Sequence, residues 1–296
     1  MIDLHVHSIF SDGSLTPEEL VTKADAMGLK AIALTDHDTT DGIDRFLMAC
    51  SSYNQSIHNK DGKSLICIPG VEISADIAHG TMHLLGYFIS HHDEGLQRVL
   101  REIKNGREER NKQILEKLNA LGLKLSWEEV ANLAQGDIIG RPHFARAMCN
   151  KGYVNSIDEA FARYLAKGKP AYAERYKLGP VECIRAICNA EGIAVLAHPF
   201  TLDRTEHELE SFVKELVEAG LSGIEIYYPE HTAQQVHIYE KIAKRFNLLI
   251  TGGSDFHGDA VPHIQLGIGD GSLNVPDHLV ELLLKHREKN KILHCI

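Results

Sequence analysis

Histidine and carboxylate residues recur in this sequence at spacings that suit metal binding. His5 and His7 lie two residues apart in a strand-like run, so both imidazoles share one face and can reach the same ion. Asp255 and His257 repeat this spacing near the other end of the chain. The remaining candidate ligands, most of them near the end of a short apolar run, are Asp12, His37, Glu72, His83 and His198. Nine donors are too many for one tetrahedral ion, so we expect two or three divalent ions that share a bridging carboxylate.

A metal cluster of this kind is suited to the hydrolysis of phosphate esters. Divalent ions bring the pKa of a bound water toward neutrality, so we expect a metal-bridging hydroxide to attack phosphorus in line. The remaining positive charge would neutralise the phosphate oxygens and the leaving alkoxide. His257 is a candidate for the general acid, although the sequence does not assign this role. Mixed histidine and carboxylate sites accept manganese, zinc or iron, and we favour manganese.

Alternating strand and helix patterns position these residues. Thr16 and Glu19 form a capping box with Pro17 at the first helical position, and strands are predicted on either side of that helix. The predicted strands span residues 2–8, 31–35, 65–74, 82–89, 193–198, 223–228 and 248–252. Most candidate ligands lie at or just beyond the end of one of these strands, where a parallel barrel gathers its active site. We therefore expect the nine donors to converge.

The segment 96–175 has only helical periodicity and interrupts this alternation. It predicts an all-helical insertion domain between a first part of the α/β domain at 1–95 and a second part at 176–296. About seven strands with intervening helices could close into a (β/α) barrel or form an open doubly wound sheet, and periodicity does not separate the two. The sequence has no G-x-G-x-x-G motif and no P-loop, which weakens the open sheet in its nucleotide-cofactor form. We therefore favour the barrel.

Composition and charge exclude several classes of protein and several kinds of partner. The 31 basic and 41 acidic residues give a formal charge of −10, which argues against a broad basic surface for long nucleic acids. No apolar stretch approaches the roughly 20 residues of a membrane-spanning helix, and Met1 leads into a strand-like run rather than a signal peptide. We expect a cytoplasmic protein with no membrane contact and no obligate protein partner. The six cysteines form no CxxC pair and predict inert, buried thiols. The mixed charges of residues 101–112 indicate a solvated helix face.

Together, these motifs resemble the polymerase and histidinol phosphatase (PHP) superfamily. The similarity covers residues 1–95 and 176–296 and rests on five motifs: HxH at His5, TDHD at His37, GVEIS at Glu72, AHP at His198 and GGSDFHG at Asp255. It implies a distorted seven-stranded barrel with three metal ions, and all nine ligand positions of the pattern are filled. The ligand sets that the resemblance implies are His5, His7, Glu72 and Asp255; Glu72, His83 and His198; and Asp12, His37 and His257.

A closer resemblance links the helical segment to the 3',5'-nucleoside bisphosphate phosphatases and to the related short-RNA exonuclease ribonuclease AM. It rests on the GRPHFA motif at Gly140–Ala145. The resemblance implies that Arg141 and His143, on either side of Pro142 at a predicted helix start, anchor a second phosphate of the substrate. Without it, a surface arginine and a helix histidine would be the simpler interpretation.

The resemblance implies an enzyme that removes the 3'-phosphate from a 3',5'-bisphosphorylated nucleotide and also cleaves short RNA from the 5' end. Lys167 and Lys169 could help to bind a phosphate or could only complement a helix dipole. Two alternatives remain open: a phosphatase for another small ester such as histidinol phosphate, and a noncatalytic metal-binding module. The GRPH segment favours the nucleotide over the first alternative, and the complete ligand set argues against the second.

Overall fold

Seven strands in the part of the chain that the structure describes form a single sheet in sequence order. The computed structural model describes residues 1–57, 64–134, 139–174 and 178–294. The strands are β1 (Ile2–Val6), β2 (Ala31–Leu34), β3 (Ile66–Ala75), β4 (Met82–Tyr87), β5 (Ile193–Leu196), β6 (Gly223–Tyr227) and β7 (Leu249–Gly252). His7 N donates to Phe256 O at 3.0 Å and so joins the chain after β1 to the chain after β7. The sheet is therefore nearly closed, which confirms the predicted barrel rather than the open sheet.

One strand of the barrel runs against the others. β4 is antiparallel to both β3 and β5, while the other neighbouring pairs are parallel. The start of β4 therefore lies beside the ends of its neighbours, and His83 pairs with Ser74 near the end of β3. In a uniformly parallel barrel, a residue at the start of a strand would lie at the opposite edge. The expectation of a parallel barrel is thus wrong for β4, and the reversal places His83 among the other donors.

Helices cover the barrel and fill the connections between strands. In the described residues the α-helices are α1 (Pro17–Ala26), α2 (Ile43–Ile57), α3 (Glu94–Ala120), α4 (Trp127–Ala131), α5 (Arg141–Asn150), α6 (Ile157–Ala160), α7 (Pro180–Asn189), α8 (Glu206–Ala219), α9 (Ala233–Phe246) and α10 (His278–His294). The capping box predicted for α1 is formed, since Glu19 N donates to Thr16 Oγ1 at 3.2 Å and Thr16 N donates to the Glu19 carboxylate at 2.8 Å. Within the same residues, no helix has both the length and the apolarity needed to cross a membrane.

Helices α3 to α6 have an apolar cluster of their own. Ile114 and Leu118 of α3 belong to this cluster together with Phe144 and Met148 of α5. In the described part of the chain, no strand lies between β4 and β5, in agreement with the helical periodicity. The assignment of this segment as a separate domain stays a prediction, and its predicted end at residue 175 lies outside the described residues.

The charge pattern of residues 101–112 indicates a solvated helix face, but this interpretation is wrong for one side of α3. Arg107, Arg110 and Asn111 are buried. Arg107 Nε donates to Asp38 Oδ2 at 2.8 Å, in the segment that follows β2. A mixed run of charges describes the composition of a helix, but it does not show which neighbouring element covers one of its faces. Here α3 lies against the part of the barrel that carries the candidate ligands.

The cysteines also differ from the expected set of buried thiols. Cys50 of α2 and Cys67 of β3 form a disulfide. Cys183 is buried, as expected, whereas Cys149 and Cys188 are only partly buried, and Cys295 lies outside the described residues. The pairing requires α2 to pack beside β3, and the spacing of cysteines along the chain does not show that packing.

The core beneath α2 allows a test of the fold. Phe46 is fully buried in a cluster with Leu34 and Ile43, whereas Met48 on the same helix is 70% exposed. We expect Phe46→Ala to lower the free energy of unfolding by about 3–5 kcal/mol, because it leaves a cavity, and Met48→Ala to change it by less than about 0.5 kcal/mol. Urea denaturation of both variants measures the difference. Losses of equal size would contradict this description of the core.

Candidate metal centre

The structure brings together all nine residues predicted as metal ligands. Each lies in a strand of the barrel or in the segment that follows one. Their positions are His5 in β1, His7 and Asp12 after β1, His37 after β2, Glu72 in β3, His83 in β4, His198 after β5, and Asp255 and His257 after β7. The predicted convergence is therefore observed, while the binding of metal by these residues stays a prediction.

Glu72 lies at the middle of the cluster and is fully buried. Its Oε2 atom lies 3.3 Å from His5 Nε2, 3.2 Å from His7 Nε2 and 2.9 Å from His37 Nδ1. Its Oε1 atom lies 2.8 Å from His83 Nδ1 and 3.0 Å from His198 Nε2. Because each oxygen faces a different set of imidazoles, this carboxylate has the arrangement expected of a bridge between two ions.

Three overlapping groups of donor atoms result. In each group, one atom from every residue lies within 4.8 Å of the others. The groups are His5, His7, Glu72 and Asp255; His7, Asp12, His37 and His257; and His37, Glu72 and His83. His198 adds a nitrogen 3.3 Å from His83 Nδ1. These groups follow the three ligand sets implied by the resemblance, with two additions. His7 also belongs to the group that contains Asp12, and His37 also belongs to the group that contains His83.

The donor atoms of the cluster lack the hydrogen bonds that buried polar atoms usually form. Buried polar atoms in proteins nearly always have a hydrogen-bond partner. Among the described residues, several buried atoms of this cluster have none: His5 Nε2, His7 Nε2, Asp12 Oδ1, His37 Nδ1, Glu72 Oε2 and Asp255 Oδ1. They face one another as imidazole nitrogens and carboxylate oxygens, which are the donors that divalent transition metals accept.

Opposite charges govern the protonation of the cluster. Burial lowers the pKa of His7, but the carboxylates of Asp255 and Glu72 outweigh burial and raise it to about 10. Burial raises the pKa of Glu72, but the charges of His37 and His83 outweigh it and hold this pKa well below its usual range. A proton on His7 therefore competes with a cation for the nitrogen that faces both carboxylates.

We expect the binding of divalent ions to release protons at pH 7. His7 must lose its proton before Nε2 can become a ligand, and its pKa is raised to about 10. The apparent affinity for metal should therefore rise with pH up to that value. Calorimetric titration of chelator-treated protein with manganese, in buffers of different ionisation enthalpy, measures the number of protons released. An enthalpy that does not depend on the buffer would contradict the expectation.

Buried polar residues behind the nine donors hold them in place. Asp36 Oδ1 accepts hydrogen bonds from Ser8 N at 2.7 Å and from Ser11 Oγ at 2.6 Å, and Ser11 Oγ lies 3.4 Å from His7 Nδ1. Tyr228 donates to Asp255 Oδ2 at 2.9 Å. Such contacts restrict the rings and carboxylates to the orientations that point into the cluster.

Asp3 and Glu225 also support the donors, and sequence reasoning missed both. Asp3 Oδ1 accepts from Ser254 N at 2.9 Å, beside Asp255. Glu225 contacts His5 and is fully buried. The sequence contained an indication of both. Asp3 lies two residues before His5 and so shares its face of the strand, and Glu225 is the lone charge within an apolar strand.

A cavity of about 240 Å³ lies between the cluster and the helical segment. From the cluster it is lined by Asp12, His37 and His83. From the helical segment its lining includes two aromatic residues, three arginines and one acidic residue: Phe161, Tyr172, Arg107, Arg110, Arg141 and Glu174. Arg107 and Arg110 were not expected there, although helical spacing from buried Ile103 places Arg107 on the covered face of α3. The cavity can therefore hold an anion close to bound cations.

The residues predicted to bind substrate differ in their position relative to this cavity. Arg141 lines it, with the guanidinium 5.6 Å from the ring centre of Phe161 and 5.8 Å from that of Tyr172. His143 is buried at the start of α5, where its Nδ1 accepts a hydrogen bond from Gly140 N at 2.9 Å. Lys167 and Lys169 are exposed and do not line the cavity. A role in substrate binding stays a prediction for all four, and the geometry favours Arg141.

Comparison with known families matches residues 3–174 to the PHP domain. This chain belongs to the PHP domain family. The 3',5'-nucleoside bisphosphate phosphatase of Chromobacterium violaceum is 32% identical to this PHP protein over 86% of this chain and 87% of the relative. The 5'-3' exoribonuclease of Haemophilus influenzae is 33% identical, over 86% of this chain and 89% of the relative.

A solved structure agrees with this PHP assignment. A protein of Bifidobacterium adolescentis, described as a metal-dependent phosphoesterase, superposes with a TM-score of 0.82 at 29% identity, covering 96% of this chain and 95% of that chain. The predicted superfamily is thus confirmed. With the donor set, these similarities identify the PHP protein as a metal-dependent hydrolase of phosphate esters.

Proposed function

We propose that this PHP protein acts in the cytoplasm to remove the 3'-phosphate from 3',5'-bisphosphorylated nucleotides, and that it also cleaves short RNA from the 5' end. The observation that carries the proposal is the shared cavity, which joins the nine-donor cluster to three arginines. A substrate with two phosphates can place one beside the cluster and the other beside the arginines. The relatives named as a bisphosphate phosphatase and an exoribonuclease support this substrate class.

Among the three arginines, Arg141 is the best placed to bind the second phosphate. Two aromatic rings flank its guanidinium, and Nη1 donates to Leu165 O at 3.3 Å, so the group is held at the cavity wall. Arg107 is instead paired with Asp38 through two of its nitrogens. A guanidinium presents parallel donors that match the oxygens of a phosphate. The Arg107 pair connects the helical segment to the segment that carries His37.

The nine donors would hold two or three divalent ions. When bound, such ions supply a nucleophile from water at neutral pH and neutralise charge on the phosphate oxygens. Imidazoles and carboxylates accept zinc or iron as well as manganese, and among these ions we favour manganese.

The surroundings of His257 favour a role as a ligand over its predicted role as general acid. His257 Nδ1 donates to Asp255 O at 2.8 Å. The other ring nitrogen, Nε2, therefore lies toward Asp12, whose Oδ1 atom is 3.2 Å away. A hydrogen bond that fixes Nδ1 in this way is the usual support of a ligating histidine.

Phosphate release by the manganese-loaded protein tests the proposal. The substrates to compare are 3',5'-bisphosphoadenosine, 3'-AMP, 5'-AMP and a 5'-phosphorylated short RNA. We expect kcat/KM for the bisphosphate to exceed that for 3'-AMP by about 10-fold to 100-fold, because hydrogen bonds to a charged group contribute about 1.5–3 kcal/mol. Equal rates for the two nucleotides, or turnover of a generic phosphate ester alone, would reject the nucleotide substrate and retain the phosphoesterase class.

A further inference from the structure

Glu225 of β6 lies inside the barrel and contacts two of the nine donors. Its side chain is fully buried. One oxygen, Oε1, lies 3.0 Å from His5 Nδ1, and the other, Oε2, accepts a hydrogen bond from His198 N at 2.8 Å. Burial of a carboxylate is strongly unfavourable unless both oxygens find donors. Here the two donors come from β1 and from the segment after β5, so one side chain joins two parts of the cluster.

The first contact determines the tautomer of His5. A carboxylate only accepts hydrogen bonds, so the proton of the neutral His5 ring must lie on Nδ1. This leaves the lone pair of Nε2 toward Glu72 Oε2 and Asp255 Oδ1, each 3.3 Å away. In the other tautomer Nε2 would carry the proton and could not bind a cation. Glu225 therefore selects the form of His5 that can act as a ligand.

The second contact holds the backbone of His198 in an uncommon conformation. His198 has a φ of 20° and a ψ of 67°, and Pro199 follows it. A residue before proline normally adopts an extended backbone with negative φ, so this conformation is strained. The hydrogen bond from His198 N to Glu225 opposes the return to an extended backbone. As a result, His198 Nε2 stays 3.0 Å from Glu72 Oε1.

We propose that Glu225 is a positioning residue for the metal centre, which sets the tautomer of His5 and the backbone of His198 together. This inference rests on the proposed binding of metal by the nine donors, but not on the identity of the substrate. The proposal predicts that the ions of the centre differ in their dependence on Glu225. The ions on the two sides of Glu72 depend on Glu225, whereas the group of His7, Asp12, His37 and His257 does not, because it contains neither His5 nor His198.

Replacement of Glu225 by glutamine tests the proposal because the variant has the same size but only one acceptor oxygen. If that oxygen accepts from His198 N, the amide nitrogen faces His5 Nδ1 and favours the tautomer that cannot bind metal. If the amide is reversed, two donors face each other at His198. We expect the affinity for the ions beside Glu72 to fall about 10-fold to 100-fold, while one ion per chain is retained. Equilibrium dialysis with manganese, followed by metal analysis, measures both values.

The control for this experiment is Tyr87→Phe. Tyr87 is buried in the same barrel and donates to Leu4 O at 2.9 Å, but it contacts none of the nine donors through that bond. Its replacement removes a buried hydrogen bond of the barrel, so we expect the metal content of wild type. Wild-type affinity and stoichiometry in Glu225→Gln would overturn the proposal, and so would an equal loss of metal in Tyr87→Phe.

A measurement on the unmodified protein keeps the proposal testable if Glu225→Gln does not fold. In the zinc-loaded protein, long-range proton–nitrogen NMR spectra report which nitrogen of each histidine carries the proton. We expect the His5 signal, assigned by its absence from His5→Gln, to show a protonated Nδ1. A proton on Nε2 would overturn the proposal. Neither readout depends on phosphatase activity, so failure of the nucleotide substrate would leave this inference to be judged separately.

Discussion

Glu72→Gln should reduce kcat/KM for phosphate release on the order of 10³-fold or more while the barrel remains folded. Five imidazole nitrogens lie within 3.3 Å of the two oxygens of Glu72. An amide is neutral and has a single acceptor atom, so it cannot bridge two cations. The loss should therefore appear both in turnover and in the amount of bound metal.

The matched control for Glu72→Gln is the same substitution at an exposed position. Glu215 on α8 is exposed, and we expect Glu215→Gln to keep the activity and metal content of wild type. Circular dichroism and metal analysis of both variants separate loss of the centre from loss of the fold. If folded Glu72→Gln retains activity within about tenfold of wild type, a difference of only about 1.4 kcal/mol, Glu72 is not the bridging ligand.

Arg141→Ala should raise KM for a bisphosphorylated nucleotide by about 10-fold to 100-fold and should change turnover of 3'-AMP much less. Arg141 lines the cavity together with residues of the metal cluster, but it is not one of the nine donors. Its removal should therefore weaken binding of the second phosphate and leave the hydrolytic centre intact. Steady-state kinetics with both substrates measure this separation.

Two further variants sharpen the Arg141 experiment. Arg141→Lys keeps the charge but loses the planar guanidinium, so we expect only partial recovery of KM for the bisphosphate. Arg163 is exposed in the same helical segment and pairs with Glu159, so Arg163→Ala should leave both substrates unaffected. An equal loss on 3'-AMP and on the bisphosphate in Arg141→Ala would assign Arg141 a structural role instead.

The candidate ligands could be found from the sequence because they follow local rules. The spacing of His5 and His7 places both on one face of a strand, and the positions of His198 and Asp255 just after predicted strands already indicate the edge of a barrel. Caps such as Thr16 are equally local, since the hydrogen bonds they form span three residues. These features can therefore be predicted from the few residues on either side of them in the sequence.

Several residues that surround the ligands could not be found in this way. Arg107 belongs to a run that has the composition of a solvated helix, yet it is buried against Asp38. The pairing of Cys50 with Cys67 depends on the packing of α2 beside β3. The arginines of the cavity and the ligands meet only because the helical segment lies over the cluster.

Local patterns were thus sufficient for the strands, most of the helices and the nine donors, because side-chain periodicity and capping act over a few residues. The antiparallel direction of β4, which places His83 beside Ser74, required the complete barrel. The same holds for the contacts of Glu225 with His5 and His198. Strand direction and buried polar contacts depend on which distant segments become neighbours, and only the packing of the whole chain decides that.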